Sequence, residues 1–471
     1  MVSRRDQLHS YQFMLQRLIA SLVIRETDPP QAPLRRGVGA VFAGAMVTVL
    51  VAAGFGVYGI LTGIGSNSWQ ESGAVVVEKE TGASFVYRGG VLHPTLNYSS
   101  ALLASGKSAP TTFRVARKNL VGIPVGTMLG IPNAPDTLPA TDDLVGTPWT
   151  LCAGPVRDAA GQVGTMTTLV VGEKPAGGRR MVNGGLLARQ SGSGSVYLVW
   201  HSHRYLIKDP TTLVPAVFGA QAPVLTVGTA WLNGLPAGQE LAPISVPHQG
   251  AASDAVPGAH AVGDIVYDRT GAGNQYYLIL RDGLAPITRL QMLVQVTMTV
   301  EPVQLPTKVF SLATESKRSL YPSSAGGALP PASPPRLPAA TPGVTPAVCA
   351  VWSRARANPL LVVGSTLSSV GRGIETPAVT GAGTSLADRV VVPPGCGTVV
   401  LALPSPTATT GALDLITDAG VRYPVPSVDA LGKLGYTTAM AVPMPAGMVA
   451  RIPEGPTLDP SAALRPATSF N

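Results

Sequence analysis

Between residues 37 and 68 the chain carries no charged side chain, and few structures can accommodate such a run. As a helix, its apolar part, residues 38–61, would be about 36 Å long at 1.5 Å per residue. That exceeds the roughly 30 Å hydrocarbon core of a bilayer, so the segment can cross with some tilt. A cleaved leader would have an apolar stretch of about 7 to 15 residues, and a buried core helix of this length would need apolar cover on every face. The expectation is one transmembrane helix over 37–64. Arg35 and Arg36 abut its N-terminal side, whereas the first charges beyond it are acidic, Glu71 and Glu78. Positive residues stay in the cytoplasm, which puts residues 1–36 on the cytoplasmic side of the cell membrane and nearly everything after residue 65 on the far side. Within the span, Ala52 with Gly56 and Gly59 with Gly63 set small residues one turn apart, as close helix packing in lipid requires.

Ahead of the membrane, Leu8, Tyr11, Leu15, Leu18 and Leu22 recur at steps of three and four, the period of an amphipathic helix. Ser3 can cap its start, and Asp28-Pro29-Pro30 ends it. So short a piece cannot bury its own apolar stripe. Its polar side, with Asp6, Gln7, His9, Gln12 and Gln16, lacks the lysines of a helix that lies on lipid. A protein partner is therefore the expected cover. The formal net charge is +8, of which residues 1–36 supply three, and no run of like charge elsewhere suits a nucleic acid.

The exported region is rich in turn formers, with 53 Gly and 44 Pro against only 13% charged residues, which favours short strands over helices. It also repeats itself. Residues 75–94, 187–207, 265–287 and 413–431 each read as a β-hairpin, an apolar strand followed by a Gly turn and a Tyr-bearing strand. A second element, Pro-x-Gly with a Pro-containing exit, follows three of them at Pro124 and Gly126, Pro236 and Gly238, and Pro445 and Gly447, the third copy being degenerate. Two stretches of different character interrupt the repeats, one opening with Trp149-Thr-Leu-Cys152 and the other with Cys349-Ala-Val-Trp352. They read as halves of one discontinuous central domain. The expected layout is a mainly β exported region: repeat one 74–142, central domain 143–185, repeat two 186–250, repeat three 251–310, a Pro-rich linker 311–347, the rest of the central domain 348–404, and repeat four 405–471. The Pro, Ala and Ser run of 322–346 is expected to be extended and poorly ordered.

Three cysteines allow three single bridges. The mirrored Trp context favours Cys152 with Cys349, leaving Cys396 free, and three reduced cysteines are the alternative, disfavoured in an oxidising exterior. No catalytic constellation emerges. Gly106-Lys107-Ser108 ends like a phosphate-binding loop, but the Gly that motif requires five residues earlier is Ala101, and Pro110 stands where its helix would start. His201 and His203, read as facing one side of a strand, have no third ligand near in sequence. Gly192-Ser193-Gly194-Ser195 is a turn, and Asp142-Asp143 lies in a polar loop. No cofactor is called for.

The segment from Ser3 to Phe13 (SRRDQLHSYQF), the stretch from Val75 to Leu103, and the paired Trp149/Cys152 and Cys349/Trp352 motifs resemble EccB, the membrane core component of the type VII secretion system, nearly end to end. The resemblance implies a hexameric membrane complex with the motor ATPase EccC, EccD, EccE and the mycosin protease. It also implies an extracytoplasmic part made of a central β domain and four repeats similar to the cell-wall-binding component of a phage lysin, with Cys152 and Cys349 paired. Some members of that family are described as ATPases. The leading expectation is a structural subunit of the secretion channel. The alternative is a membrane-anchored protein that binds cell-wall glycan through Trp200 and Tyr197, or hydrolyses ATP.

Overall fold

The computed structural model describes residues 4–23, 35–62, 68–157, 160–299, 301–312, 328–339, 346–353, 358–366, 373–405 and 407–467. Met1–Gln70 and Glu71–Asn471 form separate compact units. The first holds two helices, Arg4–Val23 and Arg35–Thr62. Within the second helix Gly37–Tyr58 is 22 residues long, has a mean hydropathy of 2.2 and is buried nowhere, so it is long and apolar enough to cross a membrane.

In the larger unit one small fold occurs four times. Three antiparallel strands form a meander, a short helix crosses over, and a fourth strand returns parallel to the first on its free edge. In repeat one these strands are Ala74–Glu78, Ser84–Arg88, Val91–Pro94 and Thr112–Val115, with the helix Tyr98–Ser105 before the last. Repeat two runs from Gly185–Gln190 to Val224–Val227, and repeat three from Ile265–Thr270 to Val303–Gln304. Capping explains why a helix starts where the meander stops. The Asn97 side chain accepts from Ser100 N–H, Ser427 from Ala430 N–H, and Thr288 forms a reciprocal capping box with Gln291.

Repeat four begins earlier than the expected boundary at 404/405. Gly397–Leu403, assigned from sequence to the central domain, pairs with Ala412–Thr417 and with Val442–Pro445. Its apolar run conceals the boundary because both of its faces are buried, Val399 toward repeat one and Val400 toward the central domain.

The central domain is one seven-stranded sheet in the order Ile374–Glu375, Arg389–Val391, Val163–Val171, Trp149–Arg157, Val348–Trp352, Leu360–Thr366, Ala176–Arg180. Its two chain segments meet at the antiparallel pair Trp149–Arg157 and Val348–Trp352. There Trp149 lies opposite Trp352 and Cys152 opposite Cys349, the pairing that reversed strand direction demands of mirrored sequences. The two Trp side chains are fully buried on one face, and the two sulfurs are bonded on the other.

Shared cores join these parts. Leu102 and Leu103 of repeat one pack with Leu431 and Leu434 of repeat four. Repeats four and two both bury side chains on the Trp149 face of the central sheet. Leu290 and Val294 of repeat three enter the core of repeat two.

Part of the Pro-rich run departs from expectation. Residues 328–339 are packed as a strap: Gln239 N–H donates to Ala328 O at 3.1 Å, Leu290 N–H to Ala332 O at 3.0 Å, and Gly185 N–H to Arg336 O at 3.0 Å, while Pro331 is buried. Prolines give up donors, and the carbonyls that accept from repeats two and three belong to the residues between them, Ala328, Leu329, Ala332 and Arg336. Residues 322–327 and 340–345 of the run lie outside the described residues.

Candidate functional site

The residues with most to offer a partner are apolar and uncovered. On Arg4–Val23, Leu8, Tyr11, Leu15, Leu18 and Leu22 are 59%, 67%, 42%, 58% and 74% exposed, and Met14 and Ile19 widen the same stripe. On the long helix Ala52 is exposed, and a Cβ placed on Gly56 would meet nothing within 4 Å. Gly59 lies in that helix, while Gly63 lies outside the described residues.

The Pro-x-Gly element is a separate extended segment, after the fourth strand, that bridges in parallel to the third strand of its repeat, and its glycine is a contact requirement. A Cβ on Gly126, Gly238 or Gly455 would come within 2.5 Å of a ring carbon of His93, Tyr205 or Tyr423 respectively. In each case the glycine N–H donates back to the third strand of its repeat, to Leu92, Arg204 and Arg422 O. The third copy is therefore Pro453-Glu454-Gly455, and Pro445 with Gly447, the pair expected from sequence, belongs to the strand and helical turn before it. Just ahead of the Pro-x-Gly segment, Trp231, Leu232 and Leu235 in repeat two and Met448, Val449 and Ile452 in repeat four insert into the central core. Trp231 also donates Nε1–H to Leu151 O at 3.0 Å. These triads escaped the sequence reading, although their shared spacing before Pro-x-Gly was a usable signal.

Buried cations tie the same junction together. Arg451 donates to Gly447 O and Ser385 O, and burial pulls its guanidinium below the ordinary value. Arg204, lowered for the same reason, donates to Asn233 and sits 5.8 Å over the Tyr197 ring. Arg422 bridges Asp414 and Glu454, and burial raises the Asp414 carboxyl despite that neighbour. Arg451 and Arg422 spend their donors on protein oxygens, while the buried Nε of Arg204 has no hydrogen-bond partner among the described residues.

Chemistry has no assembled centre among the described residues. Gly106 is the left-handed residue that ends helix Tyr98–Ser105, so Gly106-Lys107-Ser108 follows a helix C-terminus, where carbonyls and not N–H groups are presented. Lys107 Nζ pairs with Glu71 at 2.8 Å. His201 does not share a strand with His203. It forms, with Ser202, the two-residue turn between Val196–Trp200 and His203–Leu206, both at positive φ. No group of three or more His, Cys, Asp or Glu residues could hold a metal among the described residues. Asp142 and Asp143 are exposed in a short 3-10 turn. Trp200 stacks on His201 with centroids 3.8 Å apart, but Trp200 and Tyr197 pack toward opposite faces of their sheet and form no common platform. A cleft of about 630 Å³ between the central sheet and repeat two has Arg179 as the one titratable residue among its described lining.

Relatives give this arrangement a context. ESX-3 secretion system ATPase EccB3 of Mycolicibacterium smegmatis is 28% identical over 98% of this chain and 90% of its own length. ESX-1 secretion system ATPase EccB1 of Mycobacterium tuberculosis is 26% identical over 98% and 94%. Among solved structures, the EccB3 dimer from the ESX-3 core complex is similar over 83% of this chain and all of that one, at 25% identity and a TM-score of 0.61. An intact ESX-5 inner membrane complex contains a chain that matches over 100% and 97% at 22% identity and a TM-score of 0.61. The model of the Type VII secretion system ESX-1, transport TM domain B, matches residues 1–468, and the chain belongs to that EccB family.

Proposed function

We propose that this protein is a structural subunit of a type VII secretion membrane complex, linking an association surface on the cytoplasmic side to a self-associating β region outside. The observation that carries this reading is the contrast in cover. The larger unit buries its apolar residues in continuous cores, whereas the stripe Leu8, Tyr11, Leu15, Leu18 and Leu22 has no cover. Arg35 and Arg36 support a cytoplasmic N-terminus, and the Cys152–Cys349 bond suits an oxidising exterior. EccC, EccD, EccE and the mycosin protease are the partners that the family resemblance offers for the first helix and the membrane span, with Ala52, Gly56, Gly59 and Gly63 as its packing face. The relatives carry ATPase in their names. ATP hydrolysis stays outside this proposal because Lys107 follows a helix end of the wrong polarity for phosphate.

Removing residues 3–22 tests the reading. The shortened chain is expected to insert into the membrane normally and to lose at least nine-tenths of its co-purification with the other complex subunits in mild detergent. An undiminished complex would defeat the proposal.

A further inference from the structure

Where repeat three meets repeat two, a groove of about 500 Å³ lies between the end of helix Arg289–Gln295 and one face of the repeat-three sheet. Met292, Leu293 and Val296 supply its apolar floor. Tyr267 and Tyr276 stand directly opposite each other on strands Ile265–Thr270 and Gly273–Ile279, and both line the groove. Their ring centroids are 5.8 Å apart and the ring planes are tilted by 46°. Each hydroxyl is tethered. Tyr267 Oη donates to Gln304 Oε1 at 3.3 Å, and Tyr276 Oη accepts from Asn274 Nδ2 at 3.4 Å. The two rings together form one angled aromatic wall.

One charged side chain lines this groove among the described residues, Glu301. It is exposed and has no ion pair or hydrogen bond among the described residues. Buried acids of the larger unit are engaged by contrast, Asp414 with Arg422 and Asp268 with the Thr307 hydroxyl. A solvated glutamate alone assigns nothing. Beside two tyrosine rings its meaning changes, because ring faces are negative and attract a cation within about 6 Å of a centroid. Carboxylate and rings pull in the same direction, and the apolar floor accepts an aliphatic stem. Lysine and arginine side chains combine those parts, methylenes that end in a positive head.

We propose that this groove is a docking site for a lysine or arginine side chain of a partner protein. A neutral occupant would leave Glu301 without a counter-ion, and an acidic one would be repelled by it. A side chain carried on a peptide fits better than a free amine, because the rim can also hold a main chain. Asn274 is exposed there, and its amide oxygen is an acceptor for a peptide N–H. Arg269 stands opposite Asn274 and is the one cation on the four strands of this sheet. It is not among the described residues that line the groove. From that edge it opposes an incoming positive charge, so its removal should favour binding.

The test uses the full-length chain in nanodiscs of zwitterionic lipid. Saturation-transfer NMR reads the binding of short alanine peptides with a central lysine, arginine or norleucine, and of butylammonium as the free amine. The lysine and arginine peptides are expected to bind about fivefold more tightly than the norleucine peptide. Glu301→Gln should erase that preference with the urea midpoint of the larger unit unchanged, since the side chain is exposed. Arg269→Gln should tighten the lysine peptide about twofold. Equal binding of the lysine and norleucine peptides, no binding of either charged peptide, or a preference that survives Glu301→Gln overturns the proposal. Butylammonium bound as tightly as the lysine peptide overturns the protein partner and assigns the groove to a small amine.

Discussion

Leu15 and Leu232 are the same residue type with opposite fates. Leu232 is fully buried where repeat two meets the central sheet, while Leu15 stands 42% exposed on the first helix. Burial of a leucine side chain is worth about 1.5–3 kcal/mol. The larger unit collects that gain within itself, whereas the stripe on the first helix is left without it. Stability and assembly should therefore respond to different substitutions. The sharpest way to break the comparison is to truncate one anchor on each side. Trp231→Ala removes a fully buried ring and its bond to Leu151 O, and should cost the larger unit about 3–5 kcal/mol. Leu15→Ala should leave that region's unfolding unchanged and weaken only subunit co-purification. Urea unfolding of residues 71–471 by far-ultraviolet circular dichroism, set beside co-purification of the full chain, reads both. If Leu15→Ala lowers the unfolding midpoint of the larger unit, the division fails.

A smaller effect is expected where the two halves of the central domain are joined. Cys152 and Cys349 are 197 residues apart, and the loop they close contains all of repeats two and three. The chain-entropy model puts a ceiling of about 5 kcal/mol on such a link, and about 2–4 is usual. Cys349→Ser should cost an amount in that usual range, and reductant should reproduce the loss in the unmodified chain. Cys396, in a turn where its N–H donates to Pro393 O at 3.0 Å, should give no loss as serine. A midpoint insensitive to reductant would show that the β ladder alone joins the halves.

What could be read in the sequence follows the reach of each interaction. Hairpins are local, so the strand and turn pattern of the four repeats was visible, and mirrored Trp and Cys positions survive because antiparallel register turns a mirror into a set of cross-strand pairs. Long-range contacts were not visible. Pro445 with Gly447 and Pro453 with Gly455 are two Pro-x-Gly copies in one short stretch, and only the ring of Tyr423 against Gly455 tells them apart. Gly397–Leu403 belongs to repeat four through partners ten or more residues onward. The uncovered helix stripe was legible because a periodic apolar face on a short segment needs no tertiary knowledge.

The strap offers the finest test of how the larger unit supplies its own cover. Its composition suggested poor order, yet Tyr205 Oη donates to Leu329 O at 3.0 Å from a nearly buried position. Burial pushes the Tyr205 hydroxyl up to about 12, above the ordinary phenol value of about 10. Because the raised value belongs to the folded state, the stability contributed by neutral Tyr205 is fully present below pH 10. It is lost as pH rises from about 10 toward 12, where the unfolded chain releases the proton first. Tyr205→Phe should cost about 0.5–1.5 kcal/mol at neutral pH through the missing hydrogen bond and should then decline less steeply than the unmodified protein above pH 10. Urea midpoints of both proteins at pH 8 and pH 11 measure the difference. Equal declines would mean that the phenol ionises without disturbing the strap, and that Leu329 is held by its neighbours instead.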